Sequence, residues 1–276
     1  MLGELGVSVF PVPIHQCSRE GRFPVPKEAD IIFCSNPLSL EIAVEYKKRL
    51  NKLLVLQFLD IPIELFGSEQ WRIQAYDRIK PLIEHVDYST AISKYTAKCV
   101  KEWCGRYVDR VLYLGVDIDV FGAFEPQTER NIVGICRGNA KQKHAEKLVE
   151  SAKKTNIPLE IIYGQYSDIQ KAKVISKCLF GVGASSLEGF GIYVCEFAYY
   201  SKPFIAYKLP VFEEIWGNSI CYVNDADEMD EKIRLFAKNN ELRREKGKEM
   251  HAVLIKKKLT LQNYATKLQK ILENYI

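Results

Sequence analysis

Ser185-Ser186-Leu187-Glu188-Gly189-Phe190-Gly191-Ile192-Tyr193-Val194-Cys195-Glu196 sets two carboxylates eight positions apart across a Gly-Phe-Gly turn. The run before it, Cys178-Leu179-Phe180-Gly181-Val182-Gly183-Ala184, is short, apolar and punctuated by glycine, as a buried strand is. Ile192 to Tyr200 contain neither Gly nor Pro and read as a helix. Glu188 therefore falls at a strand-to-helix turn, and Glu196 lies about two helical turns further on. Glycines at such a turn let the backbone approach a ligand closely. The free N–H groups of the new helix favour an anion such as a diphosphate. Against this stands a plainer alternative, a solvated helix face with a capping carboxylate.

Outward from this stretch, apolar runs alternate with helical patterns, which points to α/β architecture with parallel sheets. In the first half the expected strands are Val7–Val12, Ile31–Cys34, Leu53–Phe58, Ser89–Ile92 and Arg110–Leu114, with helices over Leu38–Leu50, Gln70–Ile83 and Lys94–Cys104. The pattern restarts with a strand at Asn131–Cys136, a helix at His144–Thr155, a strand at Leu159–Tyr163 and a helix at Ile169–Lys177. After the Glu196 helix come strands Pro203–Tyr207 and Ile220–Val223 around a short helix, then three closing helices. Asn224/Asp225 and Thr260 suit helix caps. The polar segment Gly122–Arg130, with Pro126, is the linker candidate. A boundary there gives domains 1–125 and 126–276, with a cleft between them and the last helix packing back on the first domain.

Composition narrows the function classes. An apolar fraction of 47% supports a real core. No apolar run approaches the roughly 18 residues of a membrane span, and Met1-Leu2-Gly3-Glu4-Leu5-Gly6 lacks the regions of a signal peptide, so a cytoplasmic location is expected. Eight cysteines include no C-x-x-C pair, which argues against zinc or redox chemistry; buried thiols are expected, and Cys99–Cys104 is the nearest pair for a disulfide. Residues 1–125 carry 15 basic and 17 acidic side chains, leaving 24 and 18 in the remainder. A basic second half suits an anionic small ligand and is too mild to imply nucleic acid. Lys47-Lys48-Arg49 with Lys52 reads as a solvated helix end, with docking to anionic lipid at the inner membrane face as the minor alternative.

The Ser185–Ile205 segment resembles the E-x7-E signature of family 4 retaining glycosyltransferases, close to "S-x-x-E-G-F-G-L-x-x-x-E-A-M-A-C-G-x-P-V-I". It departs at Tyr199 and Tyr200, where small residues are usual, and at Ser201, the Gly position. Other stretches are similar too: Ala29-Asp30-Ile31-Ile32 with Asn36-Pro37-Leu38-Ser39, Asp87 to Thr96, and Gly115-Val116-Asp117-Ile118-Asp119-Val120-Phe121, the last like the "N-G-V-D-x-x-x-F" marker at the domain crossover. Leu5-Gly6-Val7-Ser8-Val9-Phe10 matches the end of the family's first helix and its second strand, so the chain is expected to begin about one βα unit late, without the first strand and Gly-rich loop.

The resemblance implies a GT-B fold of two Rossmann-like domains facing across a cleft, the first truncated, and transfer of a sugar from a nucleotide-diphosphate sugar (UDP or GDP) with retention. It also implies site residues. Arg137 matches the family's diphosphate-binding Arg, and Lys143 the Lys, judged by its spacing to Leu148, with Lys141 the fallback. Two fixed cations there would neutralise the leaving diphosphate. Glu196 would take the ribose hydroxyls, as an ionised acceptor can. Glu188 would sit near the donor sugar, with the backbone of Gly189, Phe190, Gly191 and Ile192 facing sugar and phosphate. Gly164 matches the strand-end glycine near the base pocket. No cofactor and no metal are expected, and no dedicated protein base.

The acceptor side departs further. Where many members carry a His near the sugar, this chain has Phe33-Cys34-Ser35 and Phe58-Leu59-Asp60, and His85 and His144 read as surface residues. The acceptor (glycan, lipid-linked or protein) is left open. Two alternatives accompany the transferase reading: a non-catalytic nucleotide-sugar-binding protein or partner subunit, and a nucleotide-sugar epimerase of the same fold.

Overall fold

The structure, a computed structural model, describes residues 29–61, 70–126, 132–135, 143–162 and 164–274. The expected strand Val7–Val12 lies outside them. The chain divides into two compact units, Met1–Tyr113 with Tyr264–Ile276, and Leu114–Asn263.

In the first unit four parallel strands, β1 (Ile31–Cys34), β2 (Leu53–Phe58), β3 (Tyr88–Ala91) and β4 (Arg110–Val111), lie side by side in chain order. Helix α1 (Leu40–Leu50) buries Leu40, Ala43 and Val44, the i, i+3, i+4 set of one face. Asn51, at φ 52°, closes it by donating its N–H to Lys47 O. β2 is buried from Leu54 to Phe58, as a strand covered on both faces is. Its one polar residue, Gln57, donates to the Tyr264 hydroxyl. The helix expected over Gln70–Ile83 stays α-helical only to Ile79 (α2, Gln70–Ile79) and continues as a 3-10 turn, Lys80–His85. Pro81 accounts for the change, because its ring has no N–H to donate and clashes with the preceding turn. Helix α3 (Lys94–Cys104) has Ser93 accepting from Thr96 N and stops at Gly105, φ 78°. Trp103 on it packs edge-on against Tyr76 and Phe58. Lys47 Nζ lies 2.5 Å from Asp87 Oδ1 and 2.8 Å from His85 O, so this member of the basic cluster is a structural tie.

The second unit opens with the short helix α4 (Ile118–Phe121) and builds a five-stranded parallel sheet. The strands are β5 (Ile132–Ile135), β6 (Leu159–Ile162), β7 (Gly181–Gly183), β8 (Phe204–Tyr207) and β9 (Cys221–Val223), in the order β6-β5-β7-β8-β9. Between and after them come α5 (Ala145–Thr155), α6 (Asp168–Lys177), α7 (Ile192–Tyr199), α8 (Pro210–Trp216), α9 (Ala226–Lys238), α10 (Asn240–Lys257) and α11 (Leu261–Glu273), the last crossing into the first unit. Asp225 caps α9 by accepting from Glu228 N. Phe180, Val182, Ile205, Met229 and Phe236 sit in one buried cluster. β7 is Gly-Val-Gly for a steric reason: a Cβ on Gly181 would come within 2.4 Å of the Phe204 ring and 2.6 Å of Phe197.

The border between the units falls at Tyr113/Leu114, ahead of the 125/126 boundary expected from the Gly122–Arg130 segment. Hydrogen bonds explain the shift. Val116 N donates to Leu259 O (3.1 Å), Leu261 N donates to Val116 O (2.9 Å), and a Cβ on Gly115 would meet the Leu259 carbonyl at 2.1–2.2 Å. Tyr200 O–H reaches Phe121 O at 2.6 Å, and the Tyr199 and Tyr200 rings pack on Phe121. The two bulky residues flagged in the sequence thus fasten Phe121 to the end of α7. Ser201 takes φ 53°, a left-handed conformation that glycine adopts at less cost. None of the described cysteines, Cys99 and Cys104 among them, is in a disulfide. No described helix is long and apolar enough to cross a membrane.

Candidate functional site

In the second sheet the chain runs from β5 outward to β6, then returns across β5 to β7. That reversal makes the carboxyl ends of β5 and β7 a topological switch point, where open parallel sheets leave a crevice for ligands. The segment ending at Lys143 follows β5, and the Ala184–Gly191 loop follows β7. Both lead directly into helices, α5 and α7.

Lys143 and Glu188 meet there. Lys143 Nζ forms an ion pair with Glu188 Oε1, and the two residues are only 8% and 9% exposed. Tyr193, in the first turn of α7, donates its hydroxyl to the same Oε1 at 2.7 Å and lies 3.4 Å from Ser185 Oγ. Its ring sits 5.2 Å below Lys143 Nζ, a cation–π placement, and packs on Phe204 and Phe212. Burial, and then the adjacent Glu188 carboxylate, push the Tyr193 phenol well above its usual pKa, so it is a proton donor and not a phenolate.

The Gly-Phe-Gly turn is shaped by packing. Gly191 has φ 76°, and a Cβ on it would strike the Phe212 ring at 2.5 Å. Phe190 is buried, whereas Gly189 and Ile192 are half-buried. Glu196, in the second turn of α7, is 4% exposed and paired with Lys171 Nζ of α6 at 2.8 Å. Lys171 also reaches Asp168 Oδ1 at 2.6 Å. Burial pulls the Lys171 ammonium down, but the Glu196 and Asp168 carboxylates outweigh it and leave its pKa raised. Neither glutamate therefore belongs to a solvated helix face.

His144, expected at the surface, is half-buried at φ 47°, and its Nε2 is 3.1 Å from Ser186 Oγ in the Glu188 loop. Its Nδ1 is 3.1 Å from Glu146 Oε1. A second link thus ties the start of α5 to that loop. Gly164 is exposed just beyond β6. Arg137 and the fallback Lys141 lie outside the described residues. Among the described residues no group of three or more His, Cys, Asp and Glu could hold a metal ion. Sequence reasoning missed Tyr193, Lys171, Asp168 and the His144–Ser186 contact. Lys171 has no spacing signature toward Glu196, because that pair joins two different helices, and Tyr193 reaches Glu188 from a helix to a loop; Asp168 and Lys171, by contrast, stand at i, i+3 on one helix, a spacing that could have been read.

Residues 118–253 match the family model of Glycosyl transferases group 1. The matched span contains the whole five-stranded sheet and every residue of the Lys143–Glu188–Tyr193 cluster. None of the curated proteins matches the sequence. Solved structures do match. The Anabaena protein HepE in complex with UDP and glucose aligns at a TM-score of 0.73 and 14% identity, over 90% of this chain and 78% of that one. Sucrose-phosphate synthase from Thermosynechococcus elongatus aligns at 0.73 and 14%, over 94% and 75%. The GtfA/B complex aligns at 0.59 and 14%, over 85% and 55%. At such identities the likeness speaks for architecture: two α/β units with parallel sheets, of the GT-B type.

Proposed function

We propose that this chain transfers a sugar from a nucleotide-diphosphate sugar to an acceptor with retention of the anomeric configuration. The observation that carries this reading is the buried Lys143–Glu188–Tyr193 cluster at the sheet's switch point, inside the span that matches the glycosyl transferases group 1 model. HepE is solved with UDP and glucose, and with UDP-glucose, which supports the donor class. In this reading Lys143 and Arg137 take the diphosphate and neutralise the charge that develops as the glycosidic bond breaks. Lys143 must then turn from Glu188 to phosphate, and the Tyr193 hydroxyl stays as the donor that steadies Glu188 near the sugar hydroxyls. Glu196 accepts from the ribose, the backbone of Gly189 to Ile192 lines sugar and phosphate, and Gly164 borders the base. The leaving phosphate assists the acceptor hydroxyl, so charge neutralisation falls to the two cations and needs no metal. The domain reading proposed with it makes residues 126–276 the donor side and residues 1–125 the acceptor side.

A second reading, a nucleotide-sugar-binding partner subunit, draws support from the GtfA/B complex among the structural neighbours. One set of measurements separates the two. UDP or GDP should raise the melting temperature, and Arg137→Ala or Glu196→Ala should abolish the rise. Donor turnover, by hydrolysis or transfer, then marks an enzyme; binding without turnover supports the partner subunit. No response to either nucleotide would refute the donor site.

A further inference from the structure

We infer that Lys171 is the positioning residue for Glu196 and, through it, sets the preference of the site for a nucleotide with an intact ribose diol. The inference rests on the reading of Glu196 as the ribose ligand. Glu196 projects from α7 at 4% exposure, where a carboxylate without a cation would be driven to protonate or to swing away. Lys171 Nζ prevents both, 2.8 Å from Glu196 Oε1. The ammonium is itself held from the other side by Asp168 Oδ1 at 2.6 Å. Its backbone is fixed by a capping box at the start of α6: Ser167 Oγ accepts from Gln170 N, and Gln170 Oε1 accepts from Ser167 N at 2.8 Å. A chain of three side chains, Asp168–Lys171–Glu196, thus runs from the exposed first turn of one helix to a buried carboxylate on the next. It holds one Glu196 oxygen against a cation, which favours the carboxylate over the neutral acid. Two adjacent ribose hydroxyls are a pair of O–H donors, and a carboxylate held ionised can accept both. A plain structural tie between α6 and α7 would use the same contacts, but it would have no bearing on which sugar the nucleotide carries.

Calorimetric titration of the full chain with UDP, GDP and their 2′,3′-dideoxy counterparts tests this. The wild type should prefer a ribonucleotide by about 10- to 100-fold, the worth of hydrogen bonds to a charged acceptor. Lys171→Met should reduce that preference to less than about 3-fold by weakening only the ribonucleotide, and Lys171→Arg should restore most of it. Should the methionine variant fail to fold, Lys171→Gln supplies a shorter neutral donor, and the same collapse is expected. A Lys171→Met or Lys171→Gln protein that loses thermal stability yet keeps the ribose preference overturns the inference. Wild type that binds UDP or GDP without preferring the ribose form refutes the role of Glu196, and this inference with it, while sparing the diphosphate site. Binding of neither nucleotide refutes both.

Discussion

Lys143→Met isolates the energetics of the buried pair. Lys143 and Glu188 are 8% and 9% exposed, so removing the ammonium leaves a carboxylate that water barely reaches. Breaking a buried pair from one side costs about 3–5 kcal/mol. The Tyr193 hydroxyl, 2.7 Å from Glu188 Oε1, still satisfies part of the charge, which places the expected loss near the lower end, about 3 kcal/mol. The double variant Lys143→Met/Glu188→Gln buries no charge, and its amide oxygen can still accept from Tyr193. It should lie within about 1 kcal/mol of wild type, because neutralising both members avoids the orphaned ion. Urea denaturation at pH 7 of wild type, both single variants and the double variant gives the coupling directly. UDP at 100 times its Kd should add about 2.7 kcal/mol to the wild type and nothing to either protein lacking Lys143. If the double variant is as unstable as Lys143→Met, the two side chains do not form the pair described, and the donor-site geometry built on it fails too.

The Tyr193 phenol and the Gly191 turn carry two further expectations. Tyr193→Phe should cost about 1.5–3 kcal/mol at pH 7, the worth of a hydrogen bond to a charged group. Burial and then Glu188 hold the folded phenol well above its ordinary value of 10.0, so the folded state keeps a proton that the unfolded chain gives up. Stability from this group is therefore full below about pH 10 and falls as pH rises beyond it; Tyr193→Phe should show a shallower alkaline loss in pH-dependent melting. An unchanged alkaline limb would mean that the phenol is not buried against Glu188. Gly191→Ala meets both a positive φ and the Phe212 ring, and should lower stability by about 1–3 kcal/mol in denaturation. Phe212→Leu should shrink the cost of Gly191→Ala without abolishing it, each measured against its own background, because the ring is relieved while the positive φ remains.

Much of the second unit was legible because its strands are short apolar runs, and because Ser167, Asp225 and Asn239 cap three of its helices in ways that read locally. The Gly-Phe-Gly turn revealed where Glu188 sits, and the alternation around it revealed a parallel sheet. What could not be read were the partnerships. Glu188 finds Lys143 45 residues away, and Glu196 finds Lys171 25 residues away, by tertiary packing that leaves no period in the sequence. Ser201 and the two tyrosines before it looked like a local irregularity; their reason, the Tyr200 hydroxyl on Phe121 O, lies 79 positions away. The border between the compact units lies ahead of the expected domain boundary for a similar cause. Polar Gly122–Arg130 has the composition of a linker, but the backbone pairing of Val116 with Leu259 and Leu261 already commits the chain to the second unit before that segment begins.

That pairing also orders events as the chain is made. The polypeptide enters the second unit at Leu114 and leaves it after Asn263, and Val116 bonded to Leu259 and Leu261 brings the two crossings together. Residues 114–263 can close upon themselves as soon as they have emerged from the ribosome. In the first unit, by contrast, Gln57 on β2 takes its partner from Tyr264, 207 residues later, and contacts of such separation form slowly. The half that is translated first thus draws one of its buried hydrogen bonds from the last helix to be made, and until α11 arrives Gln57 is a polar group in an apolar strand without its tyrosine.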